Sequence, residues 1–265
     1  MTKLTLLGPA SMRPFRCLWM LEELGVPYEH VSKAGPQSDL VSKYNPLKKV
    51  PVLIEDDGAF VLYESAAIVN YLGDKYGHNV ANKKINTAVV NNDKFKINPI
   101  HIPSVGTHER ALYDQTMSVI TTELDAQGLW IHRKHEALGD FFTHIPDAVK
   151  HARKYFHKTN RTLIDQLRQQ NEKLNGSMAS SDTTASSDTT TSSSSVPYYL
   201  MGPNFTGVDI FYVHCLSWSY SIGWGDKWND DPIVVKYLDF CKNRPAYQKV
   251  KSIRDAEQKI PRSNL

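Results

Sequence analysis

The sequence predicts two parts of different class: an α/β domain over residues 1–76 and an all-helical domain over residues 107–265, joined by an extended linker at 77–106. Three observations predict this. Short apolar runs bounded by turn residues alternate with helical periodicity up to residue 76. Beyond Thr107 only helical periodicity remains. Between them, a stretch rich in Asn and Lys sustains neither period. A strand-and-helix half followed by a helix-only half reads as two domains.

The elements follow in order. Lys3–Leu7 reads as a buried strand, and Gly8-Pro9-Ala10-Ser11 as a turn. Pro14 to Leu24 is helical in pattern, with Phe15, Leu18, Trp19 and Leu21 recurring at helical spacing. Pro14 suits the first helical turn, Gly25 the position after the last, and Pro27 forbids continuation. Tyr28–Ser32 is a second strand, parallel to the first through the crossover helix. A short helix is expected near Asp39–Tyr44. Pro51–Ile54 and Ala59–Leu62 are strands joined by Glu55-Asp56-Asp57-Gly58, an Asp-Gly hairpin signal. Ser65–Tyr76 is a helix with Ile68, Tyr71 and Leu72 on one face. The later helices are expected over Thr107–Ala137, Pro146–Leu174, Thr206–Ile222, Pro232–Asn243 and Ala246–Glu257.

Composition narrows the function. A hydrophobic share of 41% and a charged share of 22% are those of a globular protein. A net charge of +3 is too small to argue for nucleic acid or an anionic membrane, and no apolar run spans a bilayer. The start of the chain lacks the pattern of a secretory signal, so the cytoplasm is the expected location. The sequons at Asn160, Asn175 and Asn204 then read as chance matches. Cys17, Cys215 and Cys241 form no Cys-x-x-Cys pair, which argues against a dithiol motif or a zinc site. His132 and His135 are close enough on a helix to share a metal, but no third ligand accompanies them, so no metal is expected. Residues 177–195 carry Ser or Thr at 14 of 19 positions and repeat Ala-Ser-Ser-Asp-Thr-Thr in tandem. Such a tract cannot offset its ordering entropy, and an insertion over about 175–197 is expected to be disordered.

Four local motifs then line up. They are Gly8-Pro9-Ala10-Ser11-Met12-Arg13-Pro14-Phe15-Arg16-Cys17-Leu18, Asn45-Pro46-Leu47-Lys48-Lys49-Val50-Pro51-Val52-Leu53, Leu62-Tyr63-Glu64-Ser65-Ala66-Ala67-Ile68, and Met201-Gly202-Pro203-Asn204-Phe205-Thr206-Gly207-Val208-Asp209-Ile210. In this order they resemble the cytosolic glutathione transferase superfamily, of the serine-type, phi-like or bacterial-type branch. The segment Thr122–His135 is similar to the fourth helix of a bacterial-type branch. The resemblance implies a thioredoxin-like N-terminal domain that binds glutathione and an all-α C-terminal domain. It also implies a homodimer, with glutathione as co-substrate and a small hydrophobic electrophile as second substrate.

The implied chemistry makes demands on particular residues. A free thiol, with a pKa of about 8.5, is only about 3% thiolate at pH 7. One hydrogen bond to the charged form, worth roughly 1.5–3 kcal/mol, lowers that pKa by about one to two units. Ser11, between the first strand and the first helix, is the candidate catalytic donor; the plainer alternative is a helix-capping serine. Arg13 and Arg16 add positive potential near the sulfur, or Arg16 is a structural helix residue. In the family the proline at Pro51 is cis and exposes the backbone of Val50 to pair with the cysteinyl part of glutathione. Lys49 suits the glycyl carboxylate, or is a surface lysine. Glu64 suits the γ-glutamyl amine, and Ser65 with the helix start suits its carboxylate, the alternative being an ordinary capping pair. Thr206-Gly207-Val208-Asp209 reads as a capping box with no chemistry. Met12, Tyr113, Met117 and Trp218 are candidate walls of the second-substrate pocket, although such residues at helical spacing are more often core. Two other readings compete: a glutathione-binding module without catalysis, used in assembly or regulation, and a glutathione-dependent thiol reductase or peroxidase. The reductase branches place a cysteine in the first turn, whereas Cys17 lies inside the helix.

Overall fold

A computed structural model describes residues 2–80, 86–90, 93–179 and 197–259. Residues 180–196, most of the expected disordered insertion, lie outside the described residues. The chain divides into two compact units, one of Met1–Lys84 with Lys242–Leu265 and one of Ile85–Cys241.

The first unit is built on four strands: β1 (Leu4–Leu7), β2 (Glu29–Val31), β3 (Val52–Glu55) and β4 (Phe60–Tyr63). Their order in the sheet is β2-β1-β3-β4. β1 pairs in parallel with β2, reached through helix α1 (Pro14–Leu24), and antiparallel with β3. β3 and β4 form an antiparallel hairpin. Between them the 3-10 turn Asp56–Gly58 holds Asp56 at φ 45°, Asp57 at φ 57° and Gly58 at φ 114°, and aspartate tolerates the left-handed region better than most residues. All four residues of β3 are buried, as befits an apolar run in a central strand. Leu7, Val52 and Ile54 meet Val41 from α2 (Asp39–Tyr44) and Ala34 in one core, with Val50 packed at its rim. Helix α3 (Ser65–Tyr76) follows β4 and buries Ile68, Val69 and Leu72.

The C-terminal helix, α9 (Pro245–Gln258), clusters with the sheet unit rather than with the helices that precede it in sequence. Side chains on α1 explain this. Tyr247 packs edge-on to Phe15 and Trp19, with ring centroids 5.7 and 4.9 Å away. Arg244 clamps the Glu23 carboxylate with two bonds of 2.6 and 2.7 Å, both side chains buried.

The second unit opens with an antiparallel hairpin of β5 (Asn86–Val90) and β6 (Asp93–Ile97), inside the stretch read from sequence as aperiodic. Helix α4 (His108–Val119) is capped by the Thr107 hydroxyl, which accepts from the Arg110 N–H at 3.1 Å. The expected helix to Ala137 is present but changes pitch. Ile120–Leu129 and Arg133–Ala137 are π-helical, separated by one α-turn, α5 (Trp130–His132). Apolar spacing cannot reveal this change. The hydroxyls of Thr116, Ser118, Thr121 and Thr122 each take the carbonyl four residues back, which competes with the regular ladder.

Helix α6 (Pro146–Ala179) runs past the expected end at Leu174. A Cβ on Gly128 would lie 2.9 Å from the Phe156 ring, so glycine there lets α6 approach closely. Helix α7 (Gly207–Ser221) is the core of the unit and starts at the expected capping box. Asp209 accepts from the Thr206 N–H and hydroxyl, the Leu200 N–H and the Tyr237 hydroxyl, at 2.8–3.0 Å. Helix α8 (Pro232–Lys242) supplies Tyr237. Among the described residues, no helix is long and apolar enough to cross a membrane.

Candidate functional site

In the first unit the predicted site residues fall on three neighbouring pieces of chain: the turn after β1, the loop before β3, and the start of α3. The first two are tied by Gly8. At φ 114° it adopts a conformation that favours glycine, and a Cβ there would come within 2.6 Å of Val50 Cβ and 2.7 Å of Pro14 Cγ. Only a residue without a side chain lets the end of β1 lie against Val50.

Ser11 is exposed in the turn between β1 and α1. It is not the helix cap: Arg13 holds that position, with no capping side-chain bond, and Pro14 opens the helix. The plainer alternative for Ser11 is therefore absent from the structure. Met12 is half-buried beside it.

The second piece is held by Asn45, which is buried. Its amide nitrogen donates to the Lys49 carbonyl at 2.8 Å, and its side-chain oxygen accepts from the Leu47 N–H at 2.9 Å. Lys48 sits at φ 54°. This fixes the backbone leading to Val50, whose peptide with Pro51 is cis. Lys49 is exposed and Val50 half-buried.

The third piece begins at Glu64, which is exposed and caps α3 at φ 71°, ψ 116°. A non-glycine residue in that region carries a cost of order 1–3 kcal/mol, a form of strain that concentrates at binding sites. Ser65 lies beneath it, 5% exposed, and its hydroxyl accepts from Arg16 Nη1 at 3.4 Å. Arg16 is itself buried within α1. It therefore stands behind the start of α3, so the structural option left open for it in the sequence is the one realised, with a cation near the α3 amides.

Cys17 is buried, and burial pushes its thiol far above the ordinary range. A thiol so placed is a poor nucleophile, which weighs against the reductase reading.

In the second unit, Tyr113 and Met117 lie on α4 and are buried, with 5% and 3% of their surface exposed. Trp218 on α7 is half-buried, 6.4 Å from the His214 ring. His132 packs on Trp224 at 5.3 Å, whereas His135 contacts the Thr143 carbonyl at 2.8 Å, so the two histidines serve separate contacts. A groove of about 760 Å³ runs along α6, bordered by Lys150, Lys154, His157, Arg161 and Trp228. It contains none of the predicted site residues.

Sequence reading missed one participant entirely. Glu257 near the end of α9 carries its carboxylate to the β1–α1 turn, where Oε2 accepts the Ala10 N–H at 2.7 Å. The Ser11 N–H adds a further bond to the same carboxylate. Nothing in the local sequence around Glu257 marks it.

A thioredoxin-like sheet carrying these three pieces in this order defines a glutathione-binding type of domain. Residues 2–74 match the family model for the glutathione S-transferase N-terminal domain. The chain belongs to the cytosolic glutathione S-transferase superfamily. Glutathione S-transferase hmp2 of Hypomyces subiculosus is 42% identical over 71 residues, which are 25% of this chain and 32% of that protein. The match thus spans about a third of that relative's length. Among solved structures, Ure2p in complex with S-p-nitrobenzylglutathione superimposes with a TM-score of 0.68 at 20% identity, covering 93% of each chain. The glutathione transferase URE2P8 from Phanerochaete chrysosporium with oxidized glutathione gives 0.66 at 21% identity, covering 98% of each. At that identity these two likenesses speak for the fold.

Proposed function

We propose that the chain is a glutathione transferase of the serine type, phi-like or bacterial-type, which binds glutathione on its first unit and transfers the thiolate to a small hydrophobic electrophile. The observation that carries the binding half is the start of α3. An exposed Glu64 held at φ 71° stands over the free amides of a helix start that is backed by Ser65 and the buried Arg16. That arrangement offers an anion to an amine and a cationic, amide-rich end to the carboxylate beside it, which is the charge pattern of a γ-glutamyl group. Lys49 takes the glycyl carboxylate as a charge-assisted partner, and the Val50 backbone pairs with the cysteinyl segment as an added strand does.

On this reading Ser11 is the catalytic residue. Its hydroxyl donates to the glutathione sulfur and stabilises the thiolate, which then attacks the electrophilic carbon while the leaving group departs with the electron pair. Glutathione acts as co-substrate and no metal takes part. Met12, Tyr113, Met117 and Trp218 form the walls for the electrophile, and the working form is a cytoplasmic homodimer.

The test is a titration of the ultraviolet thiolate band of bound glutathione in the wild type and in Ser11→Ala. The expected result is a bound-thiol pKa near 6.5–7.5 in the wild type, raised by about one to two units in the variant. An equally low value in the variant removes Ser11 from the role. Binding without any depression in the wild type replaces the transferase by a non-catalytic glutathione-binding module.

A further inference from the structure

The β1–α1 turn can be audited donor by donor, because each buried backbone N–H needs an acceptor. The Gly8 N–H bonds to the Val31 carbonyl on β2 at 3.1 Å, and Pro9 has none to give. The Met12 N–H bonds back to the Pro9 carbonyl at 3.1 Å. The amides of Ala10 and Ser11 find no backbone acceptor in the turn. Both are taken by the carboxylate of Glu257, contributed from 247 residues further along the chain.

The placement of that carboxylate is not incidental. Helix α9 is fastened antiparallel to α1 along its length. Arg244 holds Glu23 near the end of α1, Tyr247 packs on Trp19 and Phe15, and Arg254 lies over the Phe15 ring at 5.4 Å. Glu257 is the next contact in this series and falls at the turn before α1. On its other side, its Oε1 lies buried 3.8 Å from His30 Nδ1 on β2, while His30 Nε2 meets the Gly8 carbonyl at 2.8 Å. One carboxylate thus joins α9, β2 and the turn. Burial holds the Glu257 carboxyl above its usual range, and the two amide bonds partly offset that.

We propose that Glu257 is a positioning residue for the glutathione site: by occupying the amides of Ala10 and Ser11 it fixes the turn and leaves the Ser11 hydroxyl as the donor presented to a thiolate. This rests on the serine-type reading above. It adds to that reading the reason why a hydroxyl, and not a pair of backbone amides at a helix start, does the work.

The experiment uses the full chain with Glu257→Ala and Glu257→Gln. Two readouts are taken: hydrogen exchange at the Ala10 and Ser11 amides without ligand, and the thiolate titration of bound glutathione. In the wild type the two amides are protected; in Glu257→Ala they exchange at least about tenfold faster, and the bound-thiol pKa rises by about one unit. Glutamine keeps an acceptor oxygen, so Glu257→Gln restores most of the protection and of the depressed pKa. Unprotected Ala10 and Ser11 amides in the wild type overturn the contact itself. Faster exchange in Glu257→Ala with an unchanged or lowered thiol pKa overturns the positioning role, since the freed amides would then serve the sulfur as well as the hydroxyl does. If Glu257→Ala does not fold, Glu257→Gln behaving as wild type in exchange but not in titration also overturns it. A wild type that binds glutathione without depressing its pKa sinks the serine-type reading and this inference together. Depression that survives Glu257→Ala sinks the inference alone.

Discussion

Gly8→Ala tests whether the turn and the Val50 loop form one site. The perturbation is a single methyl group. It must occupy φ 114°, outside the region that L-residues tolerate, at a cost of about 1–3 kcal/mol. It must also be placed 2.6 Å from Val50 Cβ, 2.7 Å from Pro14 Cγ and 2.9 Å from Val50 Cγ1. Pro14 is a rigid ring at the start of α1 and Val50 is branched at Cβ, so neither can swing aside as a flexible chain end would. Overpacking of this kind costs about 1–3 kcal/mol more. The expected loss is therefore about 2–6 kcal/mol of stability, read from urea unfolding. The functional effect is separate. If Val50 moves, its two backbone hydrogen bonds to the cysteinyl segment weaken, and at about 1 kcal/mol each the glutathione affinity falls by roughly 30-fold. Val234→Ala serves as the control. Val234 is fully buried on α8 in the other unit, so this variant loses stability without touching the Gly8–Val50 contact. Equal affinity in Gly8→Ala and the wild type, or a stability change within about 0.5 kcal/mol, would refute the idea that this close approach positions Val50.

Two further predictions concern the supports of the two units. Burial raises the Asp209 carboxyl to about 6 despite its four hydrogen bonds, against about 3.9 unfolded, so between roughly pH 4 and 6 the native state holds a proton that the unfolded chain lacks. Its contribution to stability therefore falls as pH rises through that window, by about 3 kcal/mol in total, and is flat above it; urea unfolding at pH 4.5, 5.5 and 7 should show this slope in the wild type and its absence in Asp209→Asn. Arg244→Leu leaves the Glu23 carboxylate buried without its clamp and should cost about 3–5 kcal/mol, with faster amide exchange at Ala10 and Ser11 because α9 carries Glu257; unchanged exchange at those amides would separate the helix anchor from the turn.

How much of this was legible depends on the range of the cause. Elements set by local causes could be read directly. Pro14 and Gly25 bound α1, and the apolar run at Val52–Glu55 with the Asp-Gly signal gives the β3–β4 hairpin. The capping residues at Thr107 and Thr206 fix where α4 and α7 begin. The π-helical stretch was not legible, since hydroxyl competition for carbonyls leaves the spacing of apolar residues unchanged. Nor was the hairpin at 86–97, whose residues show no sustained alternation. For the site, the motifs located Ser11, the Lys49–Pro51 loop and Glu64–Ser65, because each is a short segment whose residue types carry its chemistry. The role of Gly8 was partly accessible, as a glycine ending a strand, but its neighbour Val50 was not. Glu257 had no local signal at all. Its meaning comes from α9 lying along α1, and that depends on Tyr247, Arg244 and Arg254 finding partners in sequence-distant chain.

This long-range part bears on what the turn can do. A helix start offers backbone donors to any anion, and a carboxylate or a thiolate would be served equally. In this fold those donors are assigned to Glu257, so specificity for sulfur chemistry has to come from side chains: the Ser11 hydroxyl, the Val50 backbone and the charges at Lys49 and Glu64. The assignment also has an electrostatic consequence. A carboxylate beside the turn disfavours a second anion there, so the thiolate is stabilised against a standing opposition and not by an open amide nest. Two features reduce that opposition. The Glu257 carboxyl is shifted toward its neutral form by burial, and the His30 ring stands 3.8 Å from its free oxygen. A site assembled in this way needs its hydroxyl more than one with open amides would. That is the reason Ser11→Ala and Glu257→Ala should both raise the bound-thiol pKa, although one variant removes a donor and the other removes a negative charge.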